Sequence, residues 1–189
     1  MPMPLPAQLH ITLPIWVLEL DVGGRDFSTD AAKVGFAVEL SNYNVERQSG
    51  GPFGAAVFSA THQLIAVGVN RVVRQSCSLA HAETMAYMLA QQRLQRFRLN
   101  EDGGPITLAT SAQPCCQCYG ATMWAGIDRL LIGARSEDVE TLTPFDEGPL
   151  PADWLGELNK RGIEVVRDVE REAACAVLKR YGELGGPNY

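Results

Sequence analysis

The sequence predicts an α/β fold, with a mixed five-stranded sheet covered by helices on both faces. Three observations predict it. From residue 55 onward, short β-prone runs alternate with longer helix-forming runs. The first two β-prone runs are separated only by a short turn at Thr61-His62-Gln63, so they are expected to form an antiparallel hairpin, while the later strands are separated by helices and are expected to run mostly parallel. Finally, 189 residues with 46% hydrophobic and 20% charged side chains suit one domain with a real core.

The elements follow in chain order. Leu9–Leu20 is apolar but holds Pro14 and Glu19, and reads as an N-terminal strand or packing arm. It is too short to cross a bilayer, and no basic residue precedes it as in a signal peptide. Gly23-Gly24 is a break. Residues 1–24 are therefore expected to be an N-terminal arm, 25–184 the folded domain and 185–189 a C-terminal tail. Ser28-Thr29-Asp30 caps a first helix whose stripe is Val34, Ala37, Val38 and Leu40, and Gly50-Gly51-Pro52 stops the run. Ala55–Ser59 and Leu64–Val69 are the hairpin strands around Thr61-His62-Gln63. Leu79–Arg96, rich in Ala, Leu, Met and Gln, is the strongest helix, with Met85, Met88, Leu89 and Leu94 expected in the core. Asn100–Pro105 is a loop, Ile106–Ala109 the third strand, and Cys115–Ala125 a helix opening after Pro114. Arg129–Gly133, Ala152–Arg161, Ile163–Val166 and Arg171–Leu184 complete the pattern as strand, helix, strand and helix.

Charge and cysteine usage narrow the function. The net charge is −6, a poor match for a polyanion, and Arg171, Lys179 and Arg180 of the last helix are balanced by Glu170, Glu172 and Glu183. Nucleic acid is therefore disfavoured as a partner. Five cysteines is an odd number, and Cys115, Cys116 and Cys118 cluster; this suits metal-binding thiolates in a reducing cytoplasm better than a disulfide scaffold.

His81-Ala82-Glu83 and Pro114-Cys115-Cys116-Gln117-Cys118 carry the chemistry. His81, Cys115 and Cys118 supply three zinc ligands, which leaves a fourth position open, the mark of a catalytic rather than a structural site. Zinc bound there lowers the pKa of water toward neutrality. Cys115 and Cys118 are one helical turn apart and can point the same way, whereas Cys116 faces elsewhere. His81 and Glu83 are roughly 200° apart on an ideal helix, so both reach one site only if the helix starts at about His81. Glu83 is then a proton carrier beside the metal and not a ligand. His10 and His62 read as surface or turn residues.

This H-x-E…P-C-x-x-C pattern resembles that of the zinc-dependent cytidine-deaminase-like superfamily, from about Gly51 to Phe145. The resemblance implies a three-layer α/β/α sandwich, one zinc per chain, and hydrolytic loss of an exocyclic amine as ammonia. Gly51-Pro52-Phe53-Gly54-Ala55 resembles the family's entry into its first strand. Gly68-Val69-Asn70 resembles the end of the second, where the family places an asparagine against the base or sugar. Pro52-Phe53-Gly54-Ala55 and the α/β C-terminal half look more like the bacterial guanine deaminase and tRNA-adenosine deaminase branch. There the resemblance gives Glu147, with Asp146 second, the role of accepting the purine's N–H donors, and Glu147 a share in proton relay. It also implies that the C-terminus, ending in Tyr189, closes the pocket of its own chain or of a domain-swapped partner in a homodimer. Phe53 or Trp124 is expected to stack on the ring, and Ala82 to lie against the substrate. The long arm and Cys116-Gln117 depart from the family pattern.

The leading expectation is a cytoplasmic enzyme that converts a free aminopurine base, guanine above all, to its oxo product, with aminated s-triazines as secondary substrates. Deamination of tRNA adenosine, or of cytidine or dCMP, is the alternative. A non-catalytic zinc-binding interaction domain is the reading from another class.

Overall fold

The computed structural model describes residues 5–102 and 104–189; the first four residues of the arm and Gly103 of the 100–105 loop lie outside the described residues. Five strands, Gly54–Phe58 (β1), Leu64–Val69 (β2), Thr107–Ala112 (β3), Arg129–Ala134 (β4) and Glu164–Val166 (β5), form one sheet in the order β2-β1-β3-β4-β5. β1 is antiparallel to β2 and also to β3, while β3–β4 and β4–β5 are parallel. The sheet is thus mixed, with parallel pairs confined to its second half. β2 and β3 are both antiparallel to β1 and so share a direction: the long helix between them is a parallel crossover that passes over β1 to its other edge.

Both faces are covered. Alternate strand residues point to opposite faces. Ala56, Phe58, Val67, Val69 and Leu131 join one core with Val34 and Leu40 of helix Asp30–Glu46 (α1) and Leu178 of helix Arg171–Glu183 (α7). Ala55, Val57, Leu108, Leu130 and Ile132 join the other with Ala86 of helix Ala82–Leu94 (α3), Tyr119 of helix Cys116–Ala125 (α4) and Leu158 of helix Trp154–Asn159 (α6). Thr29 caps α1 by accepting from the Ala32 N–H. The arm is not a strand. It forms a 3-10 turn, Ile15–Glu19, that lays Trp16 against Tyr43 of α1, with the indole N–H donating to Ser49 Oγ at 3.0 Å.

Two short helices escape the sequence pattern, Val72–Gln75 (α2) and Ser136–Leu142 (α5). α5 buries only Val139, so it has no apolar stripe; its first turn is held by Asp138, whose carboxylate accepts from the Arg135 N–H and pairs with Arg171 of α7. Met88 is 43% exposed, because α3 turns Met85, Ala86, Tyr87 and Ala90 inward instead. Trp124 is exposed too, since α4 buries Cys118, Tyr119, Thr122 and Ala125 and leaves Trp124 off that stripe.

Candidate active site

Sheet register brings the separated motifs together. Gly54 at the start of β1 faces Val69 at the end of β2, and Ala55 faces Thr110 near the end of β3. Phe53, Asn70 and the Gln113–Cys115 segment therefore emerge at one sheet edge. That is the carboxyl end of the parallel strands, where α/β sheets hold their ligands. Two helices begin there. His81 is the extended residue before α3, and Cys115 the extended residue before α4, so Glu83 and Cys118 lie in the first turns. Because α3 begins only at Ala82, later than the expected Leu79, His81 stays extended and reaches one site with Glu83 despite their spacing. Tyr87 Oη and Thr122 Oγ1, 2.8 Å apart, tie the two helices together in the core.

His81, Cys115 and Cys118 offer donor atoms that all lie within 4.8 Å of one another. Around a tetrahedral zinc, bonds of about 2.0 Å to nitrogen and 2.3 Å to sulfur imply an S···N edge of about 3.5 Å. Cys115 Sγ and His81 Nδ1 stand 3.5 Å apart. One imidazole and two thiols at that spacing fit zinc. Zinc held by three protein ligands supplies a Lewis-acid position at which water becomes acidic near neutrality.

The three ligands are electrostatically coupled. Hydrogen bonds from Cys118 and His81 pull the Cys115 thiol down to about 4, against the opposing effect of burial. Cys118 is pushed well up, chiefly by sharing its proton with Cys115 and by burial. Burial works to lower the His81 pKa, but the bond to Cys115 and the charge of Glu83 outweigh it and leave it raised. The Ser78 backbone also hydrogen-bonds the ring, the kind of support that orients a ligand histidine. Glu83 is buried, and its carboxylate accepts from Cys118 Sγ at 3.4 Å. Burial pushes it up to about 7, with the Cys115 thiolate adding and His81 opposing. A carboxyl with that pKa beside a water site can exchange protons in both directions.

A cavity of about 280 Å³ opens over these groups, lined among others by Phe53, Asn70, His81, Cys115, Glu147 and Tyr189. Asn70 is buried, its Oδ1 accepting from the Val72 N–H at 3.2 Å. Glu147 is 7% exposed and turned inward, its carbonyl accepting from the Cys116 N–H at 2.9 Å. Burial first, and then the charge of Cys115, pushes its carboxyl up to about 8. Asp146 is exposed at the rim and accepts from the Gly148 N–H. The tail folds back over its own chain, where Pro187 accepts from Tyr181 Oη at 2.7 Å and the Tyr189 ring lies 4.8 Å from Phe145. Tyr189 Oη approaches Gly51 so closely that a side chain there would collide with it. Two expected substrate contacts are not on the cavity wall: Ala82 is fully buried in the core, and Trp124 is on the outer surface. Ser78, Gln117 and Phe145 do line it and carry no sequence signal of a role beyond adjacency to the motifs.

The profile of the cytidine and deoxycytidylate deaminase zinc-binding region matches residues 28–134. The chain belongs to this family. This zinc-dependent hydrolytic deaminase is 42% identical to the guanine deaminase of Nitrosomonas europaea; the structures superpose with a TM-score of 0.88, covering 96% of this chain and 100% of that one. NE0047 in complex with 2,6-diaminopurine is 44% identical, with TM-score 0.88 and 96% of each chain covered. Guanine deaminase of Bacillus subtilis is 34% identical over 102 residues, 54% of this chain and 62% of that one. A tRNA-specific adenosine deaminase of Buchnera aphidicola is 27% identical over 139 residues, 74% of this chain and 85% of that one. No helix among the described residues of the deaminase is long and apolar enough to cross a membrane.

Proposed function

We propose that this deaminase hydrolyses the exocyclic amine of a free aminopurine, guanine to xanthine and ammonia, and that aminated s-triazines are secondary substrates. The buried Glu147, facing the zinc ligands across one cavity, carries the reading. Guanine presents N–H donors at N1 and the 2-amino group, and a carboxylate accepts both; a site built around such a bond rejects analogues lacking it. Likeness to a guanine deaminase over nearly the whole chain supports the same reading. Variants of NE0047 at an asparagine and at a glutamate have been crystallised with 8-azaguanine, and Asn70 and Glu147 supply those residue types here.

In this reading His81, Cys115 and Cys118 hold one zinc. Glu83 takes a proton from the attacking water, passes one to the ring nitrogen and another to the departing amine, so that amine plus water becomes carbonyl plus ammonia. Glu147 and Asn70 orient the ring, with Asp146 at the rim, and Glu147 assists the proton relay. Phe53 and Tyr189 flank the ring, with residues 185–189 acting as lid. The chain works as a homodimer. The net charge of −6 speaks against a polyanionic substrate.

Ammonia release from guanine, adenine, cytosine and cytidine by the zinc-loaded protein tests this. Guanine is expected to be turned over fastest. Turnover of cytidine without guanine would overturn the proposal, and a panel with strict guanine use would remove the triazines.

A further inference from the structure

Gln117 stands between Cys115 and Cys118 on the first turn of α4, and its side chain lines the same cavity as Asn70, Glu147 and Tyr189. Its Nε2 is buried and has no hydrogen-bond partner, the only buried side-chain nitrogen or oxygen in that condition among the described residues. Buried polar groups are nearly always paired, so an orphan facing a cavity points to a partner that arrives with the ligand.

The surrounding charge shows what that partner is. The nearby polar walls present acceptor oxygens, those of the Glu147 and Asp146 carboxyl groups. A carboxamide in such a field turns its N–H group inward. The heterocycle proposed above has two polarities. Its N–H groups suit Glu147, but its ring nitrogens and carbonyl oxygen need donors, and the Asn70 side chain already hydrogen-bonds the Tyr189 hydroxyl.

We infer that Gln117 is a substrate-recognition residue whose carboxamide N–H donates to an acceptor atom, a ring nitrogen or carbonyl oxygen, of the bound heterocycle. The inference rests on reading the cavity as a nucleobase site. With Glu147 it makes the cavity read donors and acceptors on one ligand, which selects amino-oxo heterocycles over rings bearing a single polarity.

Calorimetric titration of the zinc-loaded protein with 8-azaguanine, and with guanine analogues carrying C–H for one ring nitrogen, tests it. Gln117→Met keeps length and removes the donor; Gln117→Glu replaces donors with acceptors. At unchanged zinc content, Gln117→Met is expected to weaken 8-azaguanine binding about 10- to 100-fold, and Gln117→Glu at least as much. If a ring nitrogen is the acceptor, one deaza analogue loses a similar factor on the wild type and loses nothing further on Gln117→Met. If the carbonyl oxygen is the acceptor, the deaza series is weakened equally on wild type and variant while 8-azaguanine still weakens on Gln117→Met. Wild-type affinity for 8-azaguanine in both variants would overturn the inference alone. No purine binding to the wild type would overturn the nucleobase reading and this inference with it.

Discussion

At the scale of single residues, the proposed reaction turns on a buried carboxyl beside the candidate zinc ligands. Glu83 touches Cys118 Sγ at 3.4 Å, and burial holds its pKa up to about 7. Glu83→Gln preserves shape and removes the proton acceptor, so turnover is expected to fall at least about 10³-fold while one zinc per chain is retained. Metal content and ammonia release measured on the same sample check this; substantial residual turnover would show that another group moves the proton. This residue and the three zinc ligands were legible in the sequence because they sit in two short motifs whose spacing encodes ligand geometry. The cavity wall was less so. Phe145 packs against Phe53 at 5.3 Å and Tyr189 at 4.8 Å, yet the three lie far apart in the chain and share no motif. Ala82 was expected at the substrate because it adjoins His81 and Glu83, but the first turn of α3 rotates it into the core.

Elements position those residues, and the tightest joint is between β2 and α3. A Cβ at Gly68 would fall on the Ala82 carbonyl oxygen and close to the Ala86 N–H, both helix backbone atoms. α3 can lie this close to the sheet only over glycine, and its first turn carries Glu83 with His81 just before it. Gly68→Val is expected to push α3 off the sheet, costing about 2–4 kcal/mol and weakening zinc affinity at least about tenfold. Urea unfolding and zinc competition with a chelator measure both; full stability with full affinity would mean that the joint is compliant. The strands were readable as short β-prone runs, and the long helices by helix-forming composition and by the cap at Thr29. α5 was not, since one buried residue gives no period and its first turn is held by Asp138 and Arg171, a tertiary pairing. The strand order was hidden for a similar reason: that the crossover from β2 passes over β1 and sets β3 on its far edge is decided by packing, not by local propensity.

The whole molecule adds two dependences that no single element has. The first is on pH. Arg171 of α7 holds the Asp138 carboxyl of α5 down to about 2, from an ordinary 3.8. A depressed acid contributes stability that is complete above pH 3.8 and fades as pH falls toward 2. With Arg171 partly exposed, the contribution is about 1–2 kcal/mol. Arg171→Met is therefore expected to lower the urea midpoint at pH 6 and to change it little at pH 2; an equal loss at both would assign the effect to packing. The second dependence is on the tail. Tyr189 is 38% exposed overall, but its hydroxyl end is buried beside Gly51, and burial pushes its pKa well up. Removing residues 187–189 opens the cavity to water and takes away one aromatic wall, so KM for guanine is expected to rise about 10-fold or more, with zinc content unchanged. Because the tail folds over its own chain, mixing the truncated protein with intact-tailed Glu83→Gln is expected to restore nothing. Recovered activity in the mixture would show instead that one protomer's tail closes its partner's cavity, since only a tail donated in trans can complete the site that still has Glu83.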